Sequence, residues 1–307
     1  MKIQCVGIIG LGEVGRTLVE DLLEQSDVQV RVWDYQFANS ESKAAQNLQD
    51  LVSNPRLSVA EVAETAADGC QLLLSAVTAD QAGDAARSIV GGLERGTFFS
   101  DLNSVSPGTK LETSGVIENA GGRFVEASVM SPIMPLRSGS PILLSGPHAP
   151  ELASLGLPLG FSDMTVVSDT LGVASATKMC RSVIVKGLEA LVTESLLAGR
   201  HYGVEESVLA SLDNMFPGPD WPQHARYLIS RSLQHGERRT AEMREAARTV
   251  EEAGHYPWMS LATVERQAWA AQFDSSLGEE SLGNMLDGIR SACFCEESKI
   301  TRTEVEK

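Results

Sequence analysis

Three side chains on one stretch are placed to do chemistry. Residues Thr170–Arg200 read TLGVASATKMCRSVIVKGLEALVTESLLAGR, without proline and with apolar residues on nearly every side (Val173, Ile184, Val185, Leu188, Leu191, Val192, Leu196). Such a segment predicts one long helix, buried in the middle of the protein. At roughly 3.6 residues per turn, Lys178 and Ser182 share a face and Lys186 lies about 80° round from Lys178. An ammonium group is very costly to bury unpaired. Burial also lowers the pKa of a lysine toward neutrality, which suits a group that takes and returns protons. Two plainer readings stand beside this one. Lys178 fits a lysine that snorkels from a helix start, and Lys186 fits an intrahelical pair with Glu189.

A second constellation opens the chain. Lys2–Ile9 (KIQCVGII) is a short apolar run that predicts a buried strand. Gly10-Leu11-Gly12-Glu13-Val14-Gly15 follows at once, and then the helical pattern Leu18, Leu22, Leu23. G-x-G-x-x-G between a strand and a helix is a dinucleotide-binding fingerprint. Gly10 permits the tight turn, Gly12 lets backbone approach a pyrophosphate, and Gly15 lets helix and strand pack closely. The helix start then offers N–H groups and a positive dipole end to phosphates. A glycine-rich turn that binds nothing is the alternative. The next strand, Val28–Trp33, ends in Asp34, 24 residues after Gly10. An acidic residue about 20 residues on meets the adenosine ribose hydroxyls. A carboxylate there repels a 2′-phosphate, so the expected cofactor leans to NAD, with NADP open because Lys43 is available to compensate. A strand-end turn aspartate is the bland reading of Asp34.

The surrounding elements explain how these groups are held. A chain of 307 residues with 43% hydrophobic composition supports two domains with real cores. Helical patterns over Val59–Ala67, Ala79–Val90 and Pro107–Ala120 alternate with strand patterns over Gln71–Val77, Thr97–Leu102 and Arg123–Val129. Pro141–Ser145 and Met164–Val167 add two short strands. That alternation predicts an α/β fold, a doubly wound, mostly parallel Rossmann-type sheet over residues 1–167. Ligands of such sheets bind beyond the carboxyl ends of the strands. Gly10–Gly15, Val77–Thr78, Asp101–Ser104 and Met130–Arg137 therefore share one rim. After Ser168 the alternation stops. The long helix opens an all-α domain over residues 168–307, with helices expected at Val204–Met215, Gln223–Leu233, Glu237–Glu252, Trp258–Ala271 and Leu282–Ser291.

Bulk properties exclude some functions. The formal net charge of −16 disfavours nucleic acid or an anionic membrane as partner, though not a small anion in a local basic pocket. No apolar run reaches the ~20 residues of a membrane span, and no signal peptide is visible, so a cytoplasmic protein is expected. Five cysteines are an odd count; Cys293 and Cys295 form C-x-C rather than a spaced metal pair. His148, His201 and His224 have no partners at ligand spacing. Reduced thiols and no metal are the expectation.

Three of these stretches, in order, resemble the β-hydroxyacid dehydrogenases, the group that includes 3-hydroxyisobutyrate and 6-phosphogluconate dehydrogenases. They are the glycine turn Gly10–Gly15; Asp101-Leu-Asn103-Ser104-Val-Ser-Pro107, similar to the family's D-x-S-T-x-x-P; and Gly172-Val-Ala-Ser-Ala-Thr-Lys178, similar to its glycine-plus-lysine helix. The resemblance implies a catalytic lysine at Lys178 and places Asn103 and Ser104 beside nicotinamide and substrate, with Val77 and Thr78 among the cofactor contacts. It implies reversible hydride transfer between a nicotinamide and a small hydroxy acid or related carbonyl compound, in a homodimer.

Two departures from the family pattern bear on the substrate. The usual substrate loop D-A-P-V-S-G-G stands here as Glu126-Ala-Ser-Val-Met130-Ser131-Pro132, and Pro132 has no N–H to offer a carboxylate. The asparagine one turn after the lysine is Ser182, whose hydroxyl reaches less far. The stretch from His235 to Met259 resembles a less-characterised subgroup with a distinct C-terminal domain, in which such loops replace the usual one. Met130, Ser131 and Ser104 are then substrate-side residues. Arg137, Lys186 and either Arg238 or Arg239 are candidates to hold a substrate anion, while the acidic neighbours of the arginine pair fit a solvated or dimer-facing helix equally well. Imine reduction and a dinucleotide-binding sensor or partner subunit without turnover are the alternatives.

Overall fold

A computed structural model describes residues 2–212 and 216–305, with 294–305 as helical backbone only; Met215 and the side chain of Cys295 lie outside the described residues. The chain forms two compact units. The first comprises Met1–Cys180 with Arg248–Gly254, the second Arg181–Ala247 with His255–Lys307.

The first unit is an eight-stranded sheet in the order β3-β2-β1-β4-β5-β6-β7-β8. The strands are β1 (Cys5–Ile9), β2 (Gln29–Trp33), β3 (Leu57–Val59), β4 (Leu72–Ser75), β5 (Phe98–Asp101), β6 (Arg123–Val129), β7 (Ile142–Ser145) and β8 (Met164–Ser168). All neighbours pair in parallel except β6 with β7. Its helices are α1 (Glu13–Gln25), α2 (Lys43–Leu51), α3 (Ala63–Ala67), α4 (Ala82–Ser88), α5 (Pro107–Asn119) and α6 (Ala149–Gly156).

Successive strand side chains point to opposite faces, and the two cores follow that rule. Ile8, Leu72, Leu74, Phe98 and Val125 enter one core with Leu18 and Leu22 of α1 and Leu152 of α6. Ile9, Leu73, Phe99 and Phe124 enter the other with alanines of α3 and α4 and Ile117 of α5.

Three elements differ from the sequence expectation, one of them helix α6, for which the sequence reading has no counterpart. The helix expected over Val59–Ala67 is helical only from Ala63; Leu57–Val59 instead pairs with β2 as an edge strand. Only three residues long, that strand is too short to show a period. Helix α2, unforeseen, is fixed by a local cap, Ser42 Oγ accepting from the Ala45 N–H at 3.1 Å.

The long helix α7 (Val173–Tyr202) begins in the first unit and continues in the second. The division expected at residue 167 therefore falls at Cys180. The reason is local: the first turn of α7 hangs on β-strand side chains, as described below. The second unit adds α8 (Glu205–Leu212), α9 (Trp221–Glu252), α10 (Trp258–Ala270) and α11 (Leu282–Val305). Helix α9 is kinked: the backbone at His235 is non-helical (φ −126°, ψ 15°), which divides it between the two helices expected at Gln223–Leu233 and Glu237–Glu252. The adjacent Gly236 lets α9 approach α10, since a methyl group there would sit 2.5 Å from the Gln267 carbonyl oxygen. The core of this unit gathers Val192, Leu196, Leu209, Leu228, Ile229, Phe273, Met285 and Ile289. Helix α7 is not buried all round: Ile184 is 73% and Leu191 60% exposed. No described helix is long and apolar enough to cross a membrane.

Candidate functional site

The rim of the first unit is built around the turn between β1 and α1. Gly10 has φ 94°, and a methyl group on it would lie 2.6 Å from the Ala76 carbonyl oxygen. A methyl group on Gly15 would collide with the Gly10 carbonyl. Both positions are therefore glycine for the sake of the fold. Gly12 is different: among the described residues a methyl group there would meet no atom within 4 Å. The open space lies at the N-cap of α1, where no side chain caps the helix. Helix starts carry unsatisfied N–H groups and a positive end of the dipole. An open glycine beside an uncapped helix start fits a bound pyrophosphate.

Leu11, between those glycines, is pinned at both ends. Its N–H donates to Asp34 Oδ2 at 2.7 Å, and its carbonyl accepts from Asn47 Nδ2 at 2.8 Å. Asp34 Oδ1 accepts from the Gln36 N–H at 2.8 Å. Asp34 thus closes the end of β2 onto the glycine turn. Each of its oxygens has a lone pair left for a ribose hydroxyl. Asn47, buried on α2, has no counterpart in the sequence expectation; its signal was hidden because α2 itself went unseen. Glu13 and Val14 sit in the first turn of α1.

The opposite wall is the β4–β5 rim. Val77 leads from the end of β4 and packs beside Gly10. Its N–H donates to Asn103 Oδ1 at 2.8 Å, while Asn103 Nδ2 donates to Ser75 Oγ at 2.9 Å. Asn103 is buried and both ends of its amide serve to join two strand ends. In this structure Asn103 holds Val77 and Ser75 in place at the rim. Beneath it, Lys110 is wholly buried and donates to the Asp101 carbonyl at 2.7 Å, with Asp101 Oδ1 at 3.1 Å. Asp101 Oδ1 also accepts from the Asn103 N–H at 2.9 Å. This pair fixes the Asp101–Pro107 turn.

Lys178 is placed by the start of α7. Gly172, with φ 94°, lies against Pro107, where a methyl group would come within 3.3 Å of the proline Cβ. Two of the stretches singled out in the sequence therefore touch. Glu126, buried at the middle of β6, completes the arrangement. Its carboxylate accepts from the N–H groups of Gly172 and Ser175 and from Ser145 Oγ at 2.6 Å. A carboxylate at a helix start satisfies orphan donors and complements the dipole. Lys178 follows Ser175 by less than one turn and is half-buried. At the other end of the rim turn, Glu252 accepts from Ser106 Oγ and the Gly108 N–H, both at 2.9 Å. That contact explains why Arg248–Gly254 belong to the first unit.

The loop after β6 carries Met130 and Ser131. Ser131 Oγ is buried and has no hydrogen-bond partner among the described residues. Arg137, expected to hold a substrate anion, is placed otherwise. Its Nε donates to Asp21 Oδ1 at 2.7 Å and its Nη2 to Glu20 Oε2 at 2.9 Å. With two carboxylates of α1 already on it, its charge anchors the loop to that helix.

Ser182, Lys186 and Arg238 lie in the second unit and are brought together there. Lys186 Nζ is 2.6 Å from Glu242 Oε2 and donates to Ser182 Oγ at 3.3 Å. Arg238 Nη1 donates to Glu242 Oε1 at 2.8 Å and is half-exposed. Glu189, expected to pair with Lys186, is instead bound by Arg239 and by Gln267 Nε2 at 3.3 Å. Of the two arginines, then, Arg239 is the buried one. Burial pushes the Lys186 ammonium below the usual lysine range, against the pull of Glu242. Burial likewise pushes Arg239 down to about 10, against Glu242.

Comparison with known proteins agrees with this geometry. Residues 5–152 match the NAD binding domain of 6-phosphogluconate dehydrogenase, and residues 200–270 match a domain of unknown function, DUF1932. The mitochondrial 3-hydroxyisobutyrate dehydrogenase of Homo sapiens is 25% identical over 217 residues, 70% of this chain and 63% of that protein. The match thus spans less than two-thirds of that relative's length. Among solved structures, a conserved hypothetical protein from Sinorhizobium meliloti superposes with a TM-score of 0.71 at 31% identity, covering 93% of this chain and 95% of the other. A second, a conserved protein of unknown function described as structurally similar to 3-hydroxyacid dehydrogenases, gives a TM-score of 0.66 at 29% identity over 87% and 97% of the two chains. With a glycine turn, an Asp101–Pro107 rim and a lysine helix assembled in one sheet unit and followed by a helical one, this chain belongs to the β-hydroxyacid dehydrogenase family, in a form with its own C-terminal helical region.

Proposed function

We propose that this chain is an NAD(P)-dependent oxidoreductase that interconverts a small hydroxy acid, or a related alcohol, and its carbonyl form. The observation that carries the proposal is the double tie on the lysine helix: Gly172 against Pro107, and Glu126 on the N–H groups of Gly172 and Ser175. Those contacts hold Lys178 in the same unit as the open glycine turn. Gly10–Gly15 and Asp34 would hold the dinucleotide, whose nicotinamide supplies or accepts the hydride when bound. Lys178 takes the hydroxyl proton in the oxidation direction and returns it to the carbonyl oxygen in reduction. Ser104 and the partnerless Ser131 hydroxyl offer hydrogen bonds to substrate oxygens, with Met130 bounding the space. Asp34 supports NAD over NADP, because it sets a negative charge where a 2′-phosphate would go.

Turnover of Lys178→Ala across a panel of 2- and 3-hydroxy acids tests the proposal. A general acid–base group contributes about 10²–10⁴-fold, so kcat should fall by that much while dinucleotide affinity stays. Near-normal turnover by the variant would sink the role of Lys178. Tighter binding of NADP than of NAD would overturn the lean drawn from Asp34. We also infer a homodimer: Ile184 and Leu191 are exposed on α7, as are Trp258, Met259 and Leu261 at the start of α10, and a second copy is the occupant such faces suit. Light scattering that returned a monomer mass would refute that part alone.

A further inference from the structure

Two thiols lie apart from the site. Cys5 begins β1 and is half-buried; Cys70, 1% exposed, follows Gly69 in the turn that leads into β4. Strands β1 and β4 are parallel neighbours, with Val6 opposite Leu72. The cysteines face each other across the start of that pair, and their Sγ atoms are 3.1 Å apart. A disulfide needs about 2.05 Å between sulfurs, so closure asks for a shift of roughly 1 Å, which the turn at Gly69 is able to provide. We propose that Cys5 and Cys70 form a redox modification site, in which hydrogen peroxide converts the thiol pair to an intrachain disulfide that staples β1 to β4.

The atoms balance as follows. The Cys5 thiolate attacks one peroxide oxygen; the O–O bond breaks, a sulfenic acid forms on Cys5, and the hydroxide released takes up a proton as water. Cys70 sulfur then attacks Cys5 sulfur; the S–O bond breaks, the S–S bond forms, and the second water departs with the Cys70 proton. Two thiols lose two electrons and the peroxide becomes two waters. The surroundings divide the roles. A hydrogen bond from the Cys70 thiol and the positive charge of Arg31, against burial, hold Cys5 at about 7. Sharing with Cys5 and burial push Cys70 upward. The more accessible sulfur is thus the one poised to attack, and the buried one waits as its resolving partner.

The bond would lie at the opposite end of β1 from Gly10, so it leaves the glycine turn in place. It would close a long loop of chain and raise thermal stability by a few degrees.

The full-length protein treated with hydrogen peroxide at neutral pH, then alkylated and digested without reductant, provides the test. The expected result is a Cys5–Cys70 linked peptide with a mass loss of about 2 Da, together with an upward Tm shift that dithiothreitol reverses. In Cys70→Ser the Cys5 sulfenic acid should persist long enough for dimedone to trap it. The exposed Cys180 serves as an internal reference for unassisted oxidation. Recovery of both thiols alkylated, direct passage of Cys5 to sulfinic acid, or linkage confined to other cysteines would overturn the proposal. The wild-type mapping decides the matter even if the variant fails to fold, and none of these readouts depends on catalytic activity.

Discussion

The buried charges of the sheet unit and those of the helical unit do different work. In the first unit, carboxylates, Asp34 half-buried and the others buried, all hold backbone, and two of them, Asp101 and Asp21, also meet a cation, Lys110 and Arg137. Asp34 accepts from Leu11 and Gln36, Asp21 from Ser138, Asp101 from Asn103, and Glu126 from Gly172 and Ser175. In the second unit, buried charges hold one another: Lys186 with Glu242, Arg239 with Glu189. The cause lies in the backbone. Turns and helix starts leave N–H groups without partners, and a crossover fold places many of them on one rim. Long helices satisfy their own backbone, so a buried charge there has only side chains to meet. Removing a carboxylate from the rim should therefore loosen a turn beside the site, whereas removing one charge from the helical unit should strand another.

The largest effect that follows is on the Lys186–Glu242 pair. Breaking a buried ion pair from one side costs about 3–5 kcal/mol, while replacing both partners with apolar residues is often neutral. Urea denaturation should show Lys186→Met destabilised by roughly that amount, with Lys186→Met, Glu242→Leu recovering most of it. Equal damage in single and double variants would erase the contrast between the units.

At Glu126, Gln retains one acceptor and loses the charge. With one N–H of α7 left weakly satisfied, the expected loss is about 2 kcal/mol. Because that helix start carries Lys178, kcat should fall more than KM rises. A stability loss with unchanged kinetics would show that Glu126 holds the fold alone. Asn47→Ala is smaller still: the Leu11 carbonyl loses its donor at about 1 kcal/mol, and isothermal titration should find the dinucleotide bound several-fold more weakly.

The smallest effect distinguishes the units by pH. Burial alone would raise the Glu20 carboxyl, but hydrogen bonds from Arg137 and Arg16 outweigh it and hold it below its ordinary value. Its contribution is therefore present above the ordinary carboxylate pKa and lost as pH falls through the lower folded value. Lys186 runs the other way. Its folded value lies below the ordinary lysine value, so the unfolded chain binds more protons between the two and stability at that residue rises with pH there. Thermal scans of Arg137→Ala should lose the acid-side dependence by less than about 1 kcal/mol, and Lys186→Met should flatten the alkaline side. A Glu20 dependence untouched by Arg137→Ala would assign it to Arg16 instead.

Much of this was legible in the residue order, and the reason differs from case to case. The β6 strand appears with the bounds expected, because Phe124, Val125, Ala127 and Val129 between two turns are a local pattern. The three-residue β3 was not legible, since it exists only by pairing with β2. Asn103 was noticed for its place in the Asp101–Pro107 stretch, yet its use depends on Ser75 and Val77, which the fold brings alongside. Arg137 looked available for an anion until α1 supplied Asp21 and Glu20.

By itself the sequence determined the glycine turn, the alternation of strands and helices, and the long helix with Lys178 near its start. These depend on backbone conformation and on side-chain period, both settled within a few residues. Tertiary structure alone decided the partners of the buried charges: Glu126 for the start of α7 at 49 residues' separation, Asn47 for Leu11 at 36, and Glu242 rather than Glu189 for Lys186. A buried charge requires an opposite charge or a donor at hydrogen-bond distance. Which one arrives depends on how distant segments pack.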